Sequence, residues 1–480
     1  MMLLLSTFAL CAPTALQALP TQPQPVRFTS FPQDLQIVPR DKSGFGQVVI
    51  SGEFVGLEGA AGGQLELQIF RNDEPWLQQS LWQAPATGLS QTAASANFSH
   101  TFAIPAELAD YDFTATWSNG TQTQVVATAN DLAAGDVYLI SGQSNANAVD
   151  YHGEKLADQH QRYWLRSFGS ATFYASEVVN DLSWHLAEAE VGYISGSVGT
   201  WGLRMGQLLL DQYQVPIAML NGAVGGTQIS YHLRNDAQHD DLNTAYGRLL
   251  WRAQQAGIDQ HAKAFFWYQG ESDGSTPVAT YADRFYDLYL DWQEDCGGLQ
   301  EIYMVPILKG CGLPTLELRD KQRRAPDLLP NITVMSMTAT GAHDGCHFYY
   351  AGYRELGDRL ARVVARDFYG SADTANITPP NPLQARFLTT ARDQIMLTYR
   401  VATDTLVLGP DVYQDFKLGD GVAETVTAAQ IAGPGQVLLT LSAPTLATKL
   451  RYTGPSSGGD WVMNSRGVGA FEFKGLEIWP

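Results

Sequence analysis

The spacing of apolar positions changes twice along this 480-residue chain, near residue 130 and again near residue 370. Between residues 27 and 130 the period is two. Gln64-Leu-Glu-Leu-Gln-Ile-Phe alternates cleanly and Gln47-Val-Val-Ile-Ser does so in part. Side chains two apart share one face of a strand, so alternation predicts strands with one buried face. Gly and Pro clusters interrupt these runs, and no repeat of helical period appears. The expectation for 27–130 is a small β-sandwich.

From 131 to 370 the pattern becomes blocks. Asp136-Val-Tyr-Leu-Ile, Pro216-Ile-Ala-Met-Leu, Ala264-Phe-Phe-Trp-Tyr, Ile302-Tyr-Met-Val-Pro-Ile-Leu and Ile332-Thr-Val-Met-Ser-Met are short apolar runs of the kind that form strands buried on both faces. Helical spacing lies between or after them. Trp201, Met205, Leu208 and Leu209 share one face, as do Tyr281, Phe285, Leu288, Tyr289 and Trp292, and then Tyr353, Leu356, Leu360 and Val364. Strands alternating with helices predict an α/β domain whose parallel sheet is covered on both sides. After the break Thr378-Pro-Pro-Asn-Pro-Leu, the runs Gln394-Ile-Met-Leu-Thr-Tyr and Gln436-Val-Leu-Leu-Thr-Leu return to strand character, and a second β-sandwich is expected over 380–480.

Composition narrows the partners. Hydrophobic residues make up 45% and charged residues 16%, a globular balance. The formal net charge of -19 disfavours nucleic acid and anionic membrane surfaces, which need clustered Lys and Arg. Residues 1–18 are apolar and end in small residues, the form of an export leader cut after Ala18, although no Lys or Arg opens it. The run is too short for a membrane span, and Phe8-Ala9-Leu10 before Cys11 is a poor lipid-attachment signal. A secreted protein, extracellular or periplasmic, is expected. Beyond the leader, three cysteines remain, Cys296, Cys311 and Cys346, which suggests one bridge and one free thiol.

Four segments carry chemistry, three of them directly after a predicted strand, where an open parallel sheet binds its ligands. Ser141-Gly-Gln-Ser-Asn-Ala-Asn147 sets Ser144 in a small-residue turn leading into a helix. A serine there is often only a helix cap, but its hydroxyl can also stand beside free N–H groups that hold an oxyanion. Asn221-Gly-Ala-Val-Gly-Gly-Thr227 is either a tight turn or a set of main-chain donors. Trp267-Tyr-Gln-Gly-Glu-Ser-Asp273 offers the Gln269 amide and the Glu271 carboxylate, the latter read as structural. His343-Asp-Gly-Cys-His347 offers an acid three residues ahead of a base. A metal pair, His343 with His347, is the weaker reading, because no HExxH-like glutamate supports it. Together the four segments supply a nucleophile, oxyanion donors and an Asp–His pair, the parts of an acyl-transfer site.

Gly142-Gln-Ser-Asn, Gly225-Gly-Thr, Trp267-Tyr-Gln-Gly-Glu-Ser and Asp344-x-x-His347 resemble, in this order, the blocks of the SGNH hydrolase superfamily, and within it the sialate O-acetylesterase and acetylxylan esterase branch. The resemblance covers residues 131–370. It implies a flavodoxin-like five-stranded parallel sheet, Ser144 as nucleophile, His347 as base and Asp344 as its orienter. It also implies an oxyanion hole from the N–H of Ser144, a glycine N–H at Gly225 or Gly226, and the Gln269 side chain. No metal or organic cofactor is called for, and the substrate would be an acetylated glycan or sugar. Ala146 departs from the Met often found after the first block, and Cys346 stands inside the Asp–His turn. In a sheet of this order Cys311 and Cys346 would follow neighbouring strands at one edge, so a Cys311–Cys346 bridge is expected over Cys296–Cys311. The competing functions are an esterase or lipase for other esters and a non-catalytic glycan-binding protein; three intact triad positions argue against the latter.

Overall fold

The computed structural model describes residues 26–55, 63–83, 95–308, 311, 316–455 and 459–480. The expected leader over 1–18 and Cys11 lie outside them. The chain divides into two compact units.

The first unit takes in residues 1–32, 49–101 and 113–128. Its strands obey the period-two pattern. Leu65, Leu67 and Ile69 on Gln64–Arg71 are fully buried while their polar neighbours are not. That strand pairs antiparallel with Glu74–Gln83, and Val26–Ser30 pairs antiparallel with the end of Phe45–Val55. Aromatic rings fill the interior: Phe54 lies 4.2 Å from Trp82 and 5.2 Å from Trp117, centroid to centroid.

The second unit holds residues 33–48, 102–112 and 129–480. Residues 33–48 and 102–112, inside the expected 27–130 domain, thus group with this unit. Ile37–Pro39 bonds in parallel to Ala133–Gly135, so those residues belong to the neighbouring sheet by hydrogen bonding, which sequence pattern does not register.

The sheet of this unit contains β1 (Thr123–Gly142), β2 (Leu165–Phe168), β3 (Trp184–Leu186), β4 (Ile217–Asn221), β5 (Ala262–Tyr268), β6 (Glu301–Met304) and β7 (Ile332–Val334). Their order is β3-β2-β4-β1-β5-β6-β7. All neighbours are parallel except the edge pair β3 and β2. The expected five-stranded sheet is thus too small. Strand β2 was missed because its sequence, Leu-Arg-Ser-Phe, is not an apolar run, yet all four residues are buried. Arg166 is fully buried there and donates to the carbonyls of Tyr163 and Asp131, which replaces the water it loses.

Six helices matter to the site: α1 (Ser144–Asn147), α2 (Thr200–Tyr213), α3 (Ala245–Gln255), α4 (Val278–Asp295), α5 (Leu316–Arg323) and α6 (Tyr350–Tyr369). The apolar faces expected on α2, α4 and α6 point into the core, with Leu208 only partly buried. None of the described helices is long and apolar enough to cross a membrane.

Residues from Pro382 onward form a seven-stranded, mostly antiparallel sheet and a two-stranded ribbon around their own core of Ile395, Leu397, Tyr399, Val437 and Leu439. This core is separate, yet contacts with α5 place these residues in the second unit. Buried Arg319 pairs with buried Glu472, and Arg323 donates to Asn381 Oδ1 at 3.0 Å.

Candidate active site

The central parallel strands end at one edge, and the candidate residues are carried there. β1 ends at Gly142, whose φ is +136°. A Cβ there would sit 2.0 Å from the Tyr268 carbonyl, so only glycine lets β1 turn this closely against β5. Ser144 follows as the first residue of α1, where its N–H has no acceptor inside the helix. Its hydroxyl lies 3.0 Å from His347 Nε2. Ser144 and His347, expected from the sequence to be nucleophile and base and 203 residues apart, are in hydrogen-bond contact.

His347 is half-buried, and burial holds its pKa below the usual histidine value, against the opposing field of Asp344. The imidazole is therefore neutral at pH 7 and able to take a proton. Asp344, expected to orient the imidazole, makes its hydrogen bonds to the main chain. Its Oδ1 accepts the main-chain N–H of Cys346 at 2.7 Å and of His347 at 2.8 Å, and these bonds hold its pKa below the ordinary carboxylate range. The expected grip on the imidazole is replaced by a grip on the turn that carries it, with the carboxylate's charge acting through space. Its Oδ2 lies 3.8 Å from His152 Nε2.

The two glycines differ. A Cβ at Gly225 would lie 3.7 Å from Ser144 Cβ, so Gly225 faces the nucleophile. Its N–H donates to the Tyr193 hydroxyl at 2.8 Å. Gly226 faces open space and serves the turn, with φ +72°. The loop is tied to the nucleophile's turn by Val224 N–H donating to the Gly142 carbonyl at 2.9 Å.

Gln269, expected as an oxyanion donor, makes contacts of its own. It is fully buried, and its Nε2 is within bonding distance of Asp273 Oδ2 (2.5 Å), Thr227 O (3.1 Å) and Gln143 Oε1 (3.3 Å). An amide nitrogen has two hydrogens, and these three acceptors compete for them in this structure. Gln269 braces Gln143, the residue before the nucleophile. Gln269→Ala would remove two N–H donors from this cluster of acceptors, so thermal unfolding should show a loss of roughly 1–3 kcal/mol alongside any fall in turnover. Lost turnover with unchanged stability would restore Gln269 as an oxyanion donor.

His343 is not paired with His347; its Nδ1 accepts the Gly345 N–H at 3.0 Å and its ring meets Phe348 edge-on. Among the described residues no three His, Cys, Asp or Glu side chains are grouped to hold a metal ion. Cys311 and Cys346 form the expected disulfide, and Cys296 is free and buried, its thiol pushed up to about 12 by burial and nearby Asp295.

With this geometry in place, comparison with known proteins is specific. Residues 134–366 match the model of the family described as carbohydrate esterase, sialic acid-specific acetylesterase. The match covers just under half of the chain. Sialate O-acetylesterase of mouse (Mus musculus) is 21% identical, over 34% of this chain and 40% of its own length. The present chain thus spans well under half of that relative. A carbohydrate acetylesterase from Xanthomonas citri has the same fold, with a TM-score of 0.64 and 18% identity over 92% of this chain and 97% of that one.

Three side chains of the matched segment were not singled out by sequence. Tyr151 stacks on the His347 ring, centroids 4.3 Å apart, and donates to the Ser144 carbonyl at 2.9 Å, so one side chain locates both reacting groups. Asn145 donates to Glu271 Oε1 at 2.8 Å and to the Cys346 carbonyl at 3.1 Å, and accepts from the Tyr353 hydroxyl at 2.9 Å. It ties the nucleophile's helix to the turn bearing the base. Tyr193 occupies the Gly225 donor. Each was illegible because its partner is remote in sequence.

Glu271, read as structural, is buried, and burial pushes its pKa up to about 7, with the field of Asp273 adding to the rise. A carboxyl whose pKa is higher in the folded state than the ordinary 4.5 binds its proton more tightly when folded. Its stabilising effect is full at acid pH and is lost as pH rises from about 4.5 to 7. Glu271→Gln keeps an acceptor for Asn145 and removes the titration. Its melting temperature should gain on the wild type between pH 5 and pH 8; parallel curves would refute the shift.

Proposed function

We propose that the protein is a secreted carbohydrate esterase that removes O-acetyl groups from sugars through a serine acyl-enzyme. The observation that carries this reading is the 3.0 Å contact between Ser144 Oγ and His347 Nε2, beside the N–H groups of Ser144 and Gly225. His347 takes the Ser144 proton as Oγ attacks the ester carbonyl. The carbonyl oxygen becomes an oxyanion and is held by the Ser144 N–H and the Gly225 N–H, the latter released by the Tyr193 hydroxyl. The negative charge of Asp344 stabilises the imidazolium. His347 then returns the proton to the leaving sugar oxygen, and a water activated by the same base releases acetate.

The match of residues 134–366 to the carbohydrate esterase family model and the acetylesterase names of both relatives support the sugar substrate. The leader-like residues 1–18 and the Cys311–Cys346 bridge support export to an oxidising compartment. Acetate release from a panel of acetylated glycans tests the reading. Release from at least one sugar is expected, and hydrolysis confined to simple esters would overturn it.

A further inference from the structure

Beside the candidate nucleophile lies an aromatic surface of which the acyl-transfer steps use only the Tyr193 hydroxyl. Phe173 is 39% exposed and Tyr174 55% exposed, their ring centroids 4.3 Å apart. Phe173 meets the Tyr193 ring edge-on at 5.3 Å. The Tyr193 hydroxyl in turn accepts the Gly225 N–H, and Gly225 faces Ser144. The three rings therefore lead from the reacting hydroxyl outward to solvent. Large exposed aromatics grouped at the mouth of a site mark a binding surface more often than chance exposure.

The surface is built rigidly. The two loops that carry it are joined by the Ala171 N–H donating to the Ile194 carbonyl at 3.0 Å and by a bridge between Ser170 and Ser195. Ser195 Oγ also donates to Asp181 Oδ2 at 2.6 Å. Gly192 packs so closely on Asn147 that a Cβ would come within 2.7 Å of its Nδ2, and Tyr193 is held at φ +63°, a conformation costly for a residue with a side chain. Rings fixed in advance lose little freedom when a ligand arrives.

The charge of this region restricts the ligand. Residues 169–199 contain Glu177, Asp181, Glu188 and Glu190 and no Lys or Arg. His185, the one titratable base on these loops, is engaged by Asp181 at 2.8 Å, so a sugar bearing a carboxylate would meet mainly negative charge there. The C–H face of a neutral pyranose is apolar and faintly positive, and it suits the electron-rich face of an aromatic ring.

We propose that Phe173, Tyr174 and Tyr193 form a stacking subsite for a neutral pyranose ring, which selects acetylated neutral oligosaccharides over acetylated acidic sugars. This rests on the sugar-esterase reading above and adds the class of sugar. The test measures acetate release from an acetylated xylo-oligosaccharide, from an O-acetylated sialic acid and from ethyl acetate, which has no ring. The wild type is expected to prefer the neutral oligosaccharide. Phe173→Ala with Tyr174→Ala should raise its KM about tenfold, since ring contacts are each worth up to roughly that factor. Ethyl acetate turnover should stay within about twofold, because the stacked rings contribute binding and not chemistry; it also shows that the variant is folded. Phe173→Tyr with Tyr174→Phe, which keeps both rings, should restore the wild-type KM. An unchanged oligosaccharide KM in the Ala pair, or a wild-type preference for the sialic acid, overturns the proposal while leaving the sugar-esterase reading intact. Hydrolysis of ethyl acetate with none of any sugar overturns both.

Discussion

Ser144→Ala is expected to cut ester hydrolysis by roughly ten-thousand-fold to a million-fold, the loss seen when an acyl-enzyme nucleophile is removed. His347→Ala should cost a similar factor. The double variant should be scarcely worse than either alone, because Oγ and Nε2 act as one unit across their 3.0 Å contact. The fold should survive the first change. Ser144 is buried at the end of β1, but the close approach to β5 depends on Gly142 and not on the hydroxyl. Turnover is measured with the purified variants on an acetylated sugar, and circular dichroism checks folding. If Ser144→Ala kept more than a few hundredths of the activity, roughly a hundred times what this mechanism allows, the nucleophile would lie elsewhere. If the losses from the two single changes instead multiplied in the double variant, the two residues would not share one proton transfer.

Breaking the Cys311–Cys346 bridge is the second large effect. The bridge closes a segment of 35 residues. A cross-link of that span stabilises by about 3–4 kcal/mol through the chain entropy it removes from the unfolded state. It also lies next to His347. The turn Asp344–His347 is held at the Cys346 sulfur by Cys311, at the Cys346 carbonyl by Asn145, and internally by the Asp344 carboxylate. Cys311→Ser with Cys346→Ser removes only the first hold. The melting temperature should fall by several degrees, and kcat by roughly ten- to a hundredfold, because a displacement of about 1 Å at a catalytic group costs that much. The wild type in reductant should approach the double variant, while the double variant itself should not respond. A kcat unchanged by both treatments would make the bridge a stabilising link with no part in placing the base.

Much of the site was readable because its chemistry sits in short, continuous segments. Gly142 to Asn145 is a tight turn whose first position requires glycine, and the Asp344-x-x-His347 turn is equally local. The apolar runs that became β1, β4, β5, β6 and β7 were readable for a related reason: strands buried on both faces must be apolar along their whole length. β2 broke that rule. Its Arg166 is satisfied by the Tyr163 and Asp131 carbonyls, which only the folded chain brings to it.

The sequence by itself determined the alternation of strand and helix and singled out Ser144 and His347 as candidates, since each reading rests on residue types at fixed short spacing. The tertiary structure decided what those residues do to one another. It spent the Gln269 amide on Asp273, Thr227 and Gln143, turned the Asp344 carboxylate onto main-chain N–H groups, and chose Gly225 over Gly226 to face Ser144. It also stacked Tyr151 on His347 and set Phe173 and Tyr174 beside Tyr193. A side chain's role depends on which acceptors and rings lie within a few ångströms of it, and in a parallel sheet those neighbours arrive from strands far apart along the chain.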